Sequence, residues 1–312
     1  MSDTRRLTYT RAAFARRILL SQDKLFLVVE GKDMDSRFYD SICSASVSIR
    51  TGGYQIWLAE QIRDDTTGVG SGGKKAVLSI YEYFKSSRRL TISSSAGKRS
   101  IAFMLDRDNE DLTGGRKRSP HVIYTDMFDV EAEAFVHGNP EAALGSLFSL
   151  DSASATSLAS DISTWIFDLA DAWREWITLC CIAKKSGSYC DVGFGKESWI
   201  NSQRYGPVET QKATAAISKI SSKAPVDQAT MTALEKAIRS RIKSSYSSST
   251  SHRLVKGKWL APYLIYRVRD HFGSAPIMYD GTQESAAKFF LSSCDFSAGW
   301  TSYYRNKLEA LR

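Results

Sequence analysis

Three carboxylates sit where a carboxylate is costly. Glu30 closes the apolar run of "LFLVVEG" (25–31), and Asp106 and Asp108 close the apolar run of "SIAFMLDRDNED" (100–111). A carboxylate at the end of a buried strand gives up hydration that something must replace. On an extended chain residues i and i+2 point to the same side, so Asp106 and Asp108 are expected to face one ion. Oxygen-only donors suit a hard cation, and Mg2+ typically takes one or two carboxylates while keeping water or phosphate oxygens in its other positions. Mg2+, or Mn2+ in its place, would position a water and spread the charge that develops on a phosphodiester oxygen. Without metal such acids repel one another, so the empty site is expected to be destabilising and inactive.

The elements that must carry these residues follow from the apolar rhythm. From 25 to about 137 apolar runs alternate with helical stretches: "LFLVVEG", "DSRFYDSIC", "SVSIRTG", "KKAVLSIYEYFKSS", "SIAFMLDRD", "HVIYTD" and "VEAEAFVHG". That rhythm predicts an α/β fold, a mostly parallel sheet flanked by helices, because a crossover helix must cover the sheet face. Ligands then gather at the carboxyl ends of the strands, where Glu30 and Asp106 are expected. Beyond about 140 the pattern turns helical. "LASDISTWIFDLADAWREWITLCCIAKK" spaces Leu158, Ile162, Trp165, Leu169, Trp173 and Trp176 by three and four, which predicts one core-facing helix and a packed tryptophan face. "APVDQATMTALEKAIRSRIKSS" reads as another helix starting near Pro225 and Asp227, and "SSYSSSTS" (244–251) as a serine-rich loop. The expected organisation is a basic N-terminal helix over 1–24, an α/β domain over 25–140 and a mainly α-helical domain over 141–312.

A chain of 312 residues, 43% hydrophobic and 24% charged, can bury a full core without staples. The net charge of +8 favours a polyanionic partner, with nucleic acid ahead of an acidic protein face. Five cysteines, Cys43, Cys180, Cys181, Cys190 and Cys294, show no C-x-x-C spacing and no nearby histidines, so reduced core thiols in a cytoplasmic protein are expected. The first 20 residues lack the apolar run of a signal peptide, and no window reaches the roughly 18 apolar residues of a membrane span.

"VVEGKDMD", followed about 75 residues later by "FMLDRDNED", resembles the Toprim domain, the metal-binding core shared by topoisomerases, primases and several nucleases. The resemblance covers roughly 25–137. It implies acid-base or metal-binding work for Glu30, divalent-metal binding for Asp106 and Asp108, and a sharp turn at Gly31. "HVIYTDMFDVEAEAF" is similar to a segment of nucleases of the overcoming-lysogenization-defect type, which makes Glu131 a further metal ligand with Glu133 the second candidate. "RLVKGKWLAPYL" resembles a glycine-lysine element of the same group, implying that Lys258, or Lys256, neutralises charge on the scissile phosphate. One position departs: related nucleases carry an acid four residues after the glutamate, where Met34 stands here between Asp33 and Asp35.

The whole arrangement resembles the effector subunits of PARIS anti-phage defence. That likeness implies a Mg2+-dependent ribonuclease that cleaves host transfer RNA once released from a separate ATPase subunit holding it inactive, and that acts as a homodimer. Rival expectations are a Toprim DNA endonuclease and a non-catalytic Toprim binding module of an ATPase complex. Three intact acids argue for catalysis over the module, since fold stability does not require them. Topoisomerase action needs a tyrosine-bearing gate for which the chain is too short.

"GVGSGGKK" (68–75) matches G-x-x-x-x-G-K through Gly68, Gly73 and Lys74, but Lys75 stands where a P-loop needs Ser or Thr. A glycine loop opening a helix is expected instead, its backbone and Lys74 meeting a nucleic-acid phosphate. The basic stretches "GKR" (97–99) and "GGRKRS" (114–119) flank the D-x-D strand, and Arg116, Lys117 and Arg118 are expected to guide a nucleic-acid backbone in a salt-sensitive way.

Overall fold

The computed structural model describes residues 7–31, 34–94, 97–188, 197–273 and 282–312. Two units interleave along the chain: Met1–Asp106, Lys117–Asp126 and Cys294–Arg312 form one, and Arg107–Arg116 with Met127–Ser293 form the other. The first holds the sheet and the second is helical. Among the described residues no helix is long and apolar enough to cross a membrane.

In the sheet unit, the two-residue strand β1 (Tyr9–Thr10) leads into α1 (Arg11–Leu20), capped by the Thr10 hydroxyl on the Ala13 N–H. Next come β2 (Leu25–Val29), α2 (Asp35–Ala45), α3 (Val47–Gly52), β3 (Tyr54–Leu58), β4 (Ile62–Arg63), α4 (Gly73–Ser86), β5 (Thr91–Ser94) and β6 (Gly97–Leu105). β7 (Val122–Tyr124) completes a five-stranded sheet in the order β3-β2-β6-β5, with β7 also on β6. β3, β2, β6 and β7 are mutually parallel; β5 runs antiparallel along the first half of β6 and β7 lies along its second half. Every residue of β2 is buried, as a central parallel strand covered on both faces demands. Phe26, Val28, Ile101, Phe103 and Leu105 join Phe14 of α1 and Val77, Ile80 and Phe84 of α4 in one apolar cluster.

Two expectations change here. "SVSIRTG" is not an apolar strand: it forms α3, started by the Ser46 cap on Ile49 N–H, and the strand is the following "YQIWL". The segment after 293 belongs to the sheet unit, not to the helical region. Its helix Ser302–Glu309 sets Tyr304 edge-on against Phe38, ring centres 5.5 Å apart, and Tyr304 Oη accepts the Asp126 N–H at 2.9 Å.

The helical unit contains α5 (Glu110–Thr113), α6 (Val130–His137), α7 (Pro140–Phe148), α8 (Ser152–Asp161), α9 (Trp165–Ala172), α10 (Arg174–Ser186), α11 (Thr210–Lys223), α12 (Gln228–Ser247), α13 (Gly257–Phe272) and α14 (Thr282–Ser292). The tryptophan-bearing stretch is therefore three helices rather than one, broken at Thr164 and Trp173, whose ψ angles near zero leave the helical region. Its packing face is as expected: Trp173 and Trp176 are fully buried, and Trp173 meets Trp259 edge-on at 5.1 Å. Asp227 caps α12, which runs on through Ser247 into the serine tract read as loop. Cys43, Cys180 and Cys181 are buried free thiols, and burial pushes the Cys181 thiol up to about 12. Cys190 and residues 1–6 of the basic N-terminus lie outside the described residues.

Candidate functional site

Glu30 follows β2 and Asp106 follows β6, two neighbouring parallel strands in register from Leu25 with Ser100. From β2 the chain crosses first to β3 on one side and later to β6 on the other, so the crevice between the carboxyl ends of β2 and β6 is the switch point of the sheet. Glu30 Oε1 accepts the backbone N–H of Asp106 at 2.8 Å. Lys74, in the first turn of α4, donates Nζ to the Asp106 carbonyl at 2.6 Å and stands 5.9 Å from the centre of the Tyr124 ring. Both backbone polar groups of Asp106 are thus gripped by charged side chains, all three residues being half-buried.

The glycine loop makes this possible. Gly73, at φ +77°, donates its N–H to the Glu30 carbonyl at 3.1 Å and so seats the start of α4 on the end of β2. Lys74 therefore reaches the Asp106 carbonyl across the crevice. Gly31 has no left-handed φ; a Cβ there would come within 3.3 Å of Asp35 Oδ2, a tight contact with the oxygen that accepts the Gly31 N–H at 2.8 Å. Asp35 is engaged in closing this turn, and Met34 is a buried apolar contact. Asp33 lies outside the described residues.

Asp108 does not continue the strand alternation. β6 ends at Leu105, and Asp108 sits in a left-handed turn at φ +49°, its N–H bonded to the Phe128 carbonyl at 2.8 Å. The i, i+2 argument for Asp106 and Asp108 fails because it requires an extended chain through both. Asp108 belongs to the helical unit, as do Glu131 and Lys258.

In that unit a second group forms around a residue the sequence reading passed over. Asp129 caps α6 by accepting the Ala132 N–H at 2.8 Å and also accepts the Gly257 N–H at the start of α13, at 3.1 Å to each oxygen. Burial pushes the Asp129 carboxyl well above the ordinary aspartate range and neighbouring Glu131 adds to the push, while the two N–H groups and Lys256 pull it down. A Cβ on Gly257 would stand 2.6 Å from Asp129 Oδ1 and 2.7 Å from the Ala132 nitrogen, so the glycine of "VKGKW" is a packing necessity that brings Glu131 against the start of α13. Lys256 is half-buried near Asp129 and Lys258 is exposed. Glu133 is fully buried, holding the Met127 N–H at 2.8 Å with His137 Nε2 at 3.3 Å, which makes it a loop clamp. The signal for Asp129 was the N-cap position of "DVEAEAF", three residues before Ala132.

The basic residues are mostly engaged. Lys117 pairs with Glu82 at 2.7 Å in the sheet unit, and Arg116 pairs with Asp111 at 2.7 Å in the helical one. Arg118 is exposed. Arg99 of "GKR" is buried and donates Nε to the Ser21 carbonyl at 2.7 Å, a structural role. Among the described residues no three or more His, Cys, Asp or Glu side chains stand grouped as ligands of one metal ion. What the sheet unit assembles is a pair, Glu30 and Asp106, with Lys74 beside it. Compared with known proteins, the chain matches no family model, and no curated protein sequence is similar to it.

Proposed function

We propose that the protein is a metal-dependent phosphodiester hydrolase of the Toprim type acting on nucleic acid, with Glu30 and Asp106 at its centre. The observation that carries this reading is the Glu30–Asp106 pairing at the switch point of a parallel sheet, where an α/β protein binds its ligand. The donor set is compatible with a hard divalent cation, for which two carboxylates plus water and phosphate oxygens are enough. A bound Mg2+ or Mn2+ would supply Lewis acidity at the phosphodiester, and the carboxylates of Glu30 and Asp106 would hold it. Lys74 brings a positive charge beside the two acids, which offsets their mutual repulsion.

Charge supports a nucleic-acid substrate. Of the 42 Lys and Arg, 22 lie in the sheet unit against 14 of the 34 Asp and Glu, so this unit carries all of the +8 and the helical unit is neutral. An excess confined to the unit that holds Glu30 and Asp106 favours a polyanion there. RNA rather than DNA, transfer RNA in particular, and release from an ATPase partner rest on the likeness to PARIS effectors and complete the proposal. Incubating the purified protein with total cellular RNA and with plasmid DNA in Mg2+ tests it. Cutting of a discrete small RNA with the plasmid left intact is the expected result; plasmid cutting would make it a DNA endonuclease.

A further inference from the structure

The geometry points to a second nucleic-acid contact surface at the opposite end of the same sheet, where Lys24, Arg88, Arg89 and Lys98 grip the phosphate backbone of a duplex that reaches Glu30 and Asp106. Lys24 precedes β2, and its carbonyl accepts the Ser100 N–H at 2.9 Å. Arg88 and Arg89 follow α4, the Leu90 carbonyl after them accepting the Ile101 N–H at 3.0 Å. Lys98 lies in β6 opposite Ser93. These contacts fix all four at the amino-terminal end of the parallel strands, away from the crevice.

All four side chains are exposed, and among the described residues none makes an ion pair or a side-chain hydrogen bond. What distinguishes these four from other exposed cations of the unit, such as Arg37 and Arg118, is that the strand contacts gather them at one end of the sheet. Four cations at one end repel one another, and a polyanion relieves that repulsion; the one acid beside them in sequence, Asp23, is held by Ser21 Oγ and Gln55 Nε2. The carboxyl end of the α4 dipole favours Arg88 and Arg89 but has no hold on Lys24 or Lys98. Arg88 also stands at φ +56°, a left-handed position that glycine occupies without strain.

The strands supply a ruler. From Lys98 to Asp106 is eight residues of extended chain, about 26 Å, and the 14 residues of α4, from Gly73 beside Lys74 to Ser86 just before Arg88, give about 21 Å. A backbone that touches both ends spans about six to eight base pairs at roughly 3.4 Å each. A mononucleotide cannot span that distance, and the substrate class proposed is a structured nucleic acid with a duplex arm of at least that length. This rests on the nuclease reading only for what happens at the far end of that duplex.

The test separates the two. Full-length Glu30→Gln protein in chelator, which removes cleavage, is titrated with labelled duplexes of about 20 base pairs, RNA and DNA in parallel, over a range of salt. The same protein carrying Lys24→Gln, Arg88→Gln, Arg89→Gln and Lys98→Gln is expected to bind at least about tenfold more weakly, and its slope of log affinity against log salt is expected to be shallower by about 3.5. Its melting temperature should be unchanged, since all four side chains are exposed. Equal affinity and equal slope would overturn the proposal, whether or not the surface then captures an acidic protein. If no cleavage is ever seen but the fourfold variant loses duplex binding, the surface stands and the nuclease reading falls.

Discussion

Glu30 holds Asp106 by its backbone rather than by its side chain: Oε1 accepts the Asp106 N–H at 2.8 Å. The contact ties the ends of two neighbouring strands together, and it separates structural from chemical loss. Glu30→Gln keeps an acceptor oxygen for that N–H and removes the charge. It is expected to unfold in urea within about 0.5 kcal/mol of the parent and to cut nothing. Glu30→Ala removes the acceptor as well and should cost about 1–2 kcal/mol. Equal stability of the two variants would show that the hydrogen bond contributes nothing.

Gly257 and Asp129 make the start of α13 and the start of α6 one construction. Gly257→Ala forces a methyl group into the Asp129 carboxylate and the Ala132 nitrogen and should destabilise by about 1–3 kcal/mol. Lys258→Ala, one residue on but exposed, should stay within about 0.5 kcal/mol. Denaturant midpoints decide this. If Lys258 acts on the phosphate, Lys258→Ala lowers cleavage while its midpoint stays put.

Acid should loosen the last helix of the sheet unit. Glu309 accepts hydrogen bonds from Ser48 at 2.6 Å and Ser46 at 2.8 Å, and these, in that order, hold its carboxyl below the ordinary glutamate range, with Arg305 and Arg312 adding to the effect. A depressed folded pKa means that the unfolded chain binds the proton more readily. The stabilisation is therefore complete above the ordinary glutamate value of about 4.3 and is lost as pH falls through the folded value. Urea unfolding at about pH 7, 5 and 4 should show the parent losing more stability on acidification than Glu309→Gln. Parallel losses would remove Glu309 from the account.

Metal should stabilise as well as activate. Mg2+ or Mn2+ that binds the folded protein alone adds about 2.7 kcal/mol at a hundred times its Kd. A rise in melting temperature with added metal, absent in Glu30→Gln and in Asp106→Asn, is expected. A rise of the same size in all three proteins would place the metal elsewhere.

How much of this was legible depended on the range of the signal. β2 and β6 are continuous apolar runs ending in an acid, and their burial pattern follows directly from that composition. Helix starts with a side-chain cap, such as Asp227 before α12, were equally readable because the cap bond is local. The i, i+2 pairing of Asp106 and Asp108 failed on one dihedral angle, φ +49° at Asp108, which sequence spacing does not encode. Asp129 was hidden by range: its second partner, the Gly257 N–H, lies 128 residues away. The return of Ser302–Glu309 to the sheet unit was hidden likewise, since an amphipathic helix does not name the surface it covers.

The most direct measurement is cleavage of total cellular RNA by the parent and by Glu30→Gln, side by side, in Mg2+ and in chelator. The account predicts cutting in one condition of the four, parent protein with metal. Cutting by Glu30→Gln in metal, or by the parent in chelator, would contradict a metal-dependent centre built on Glu30 and Asp106.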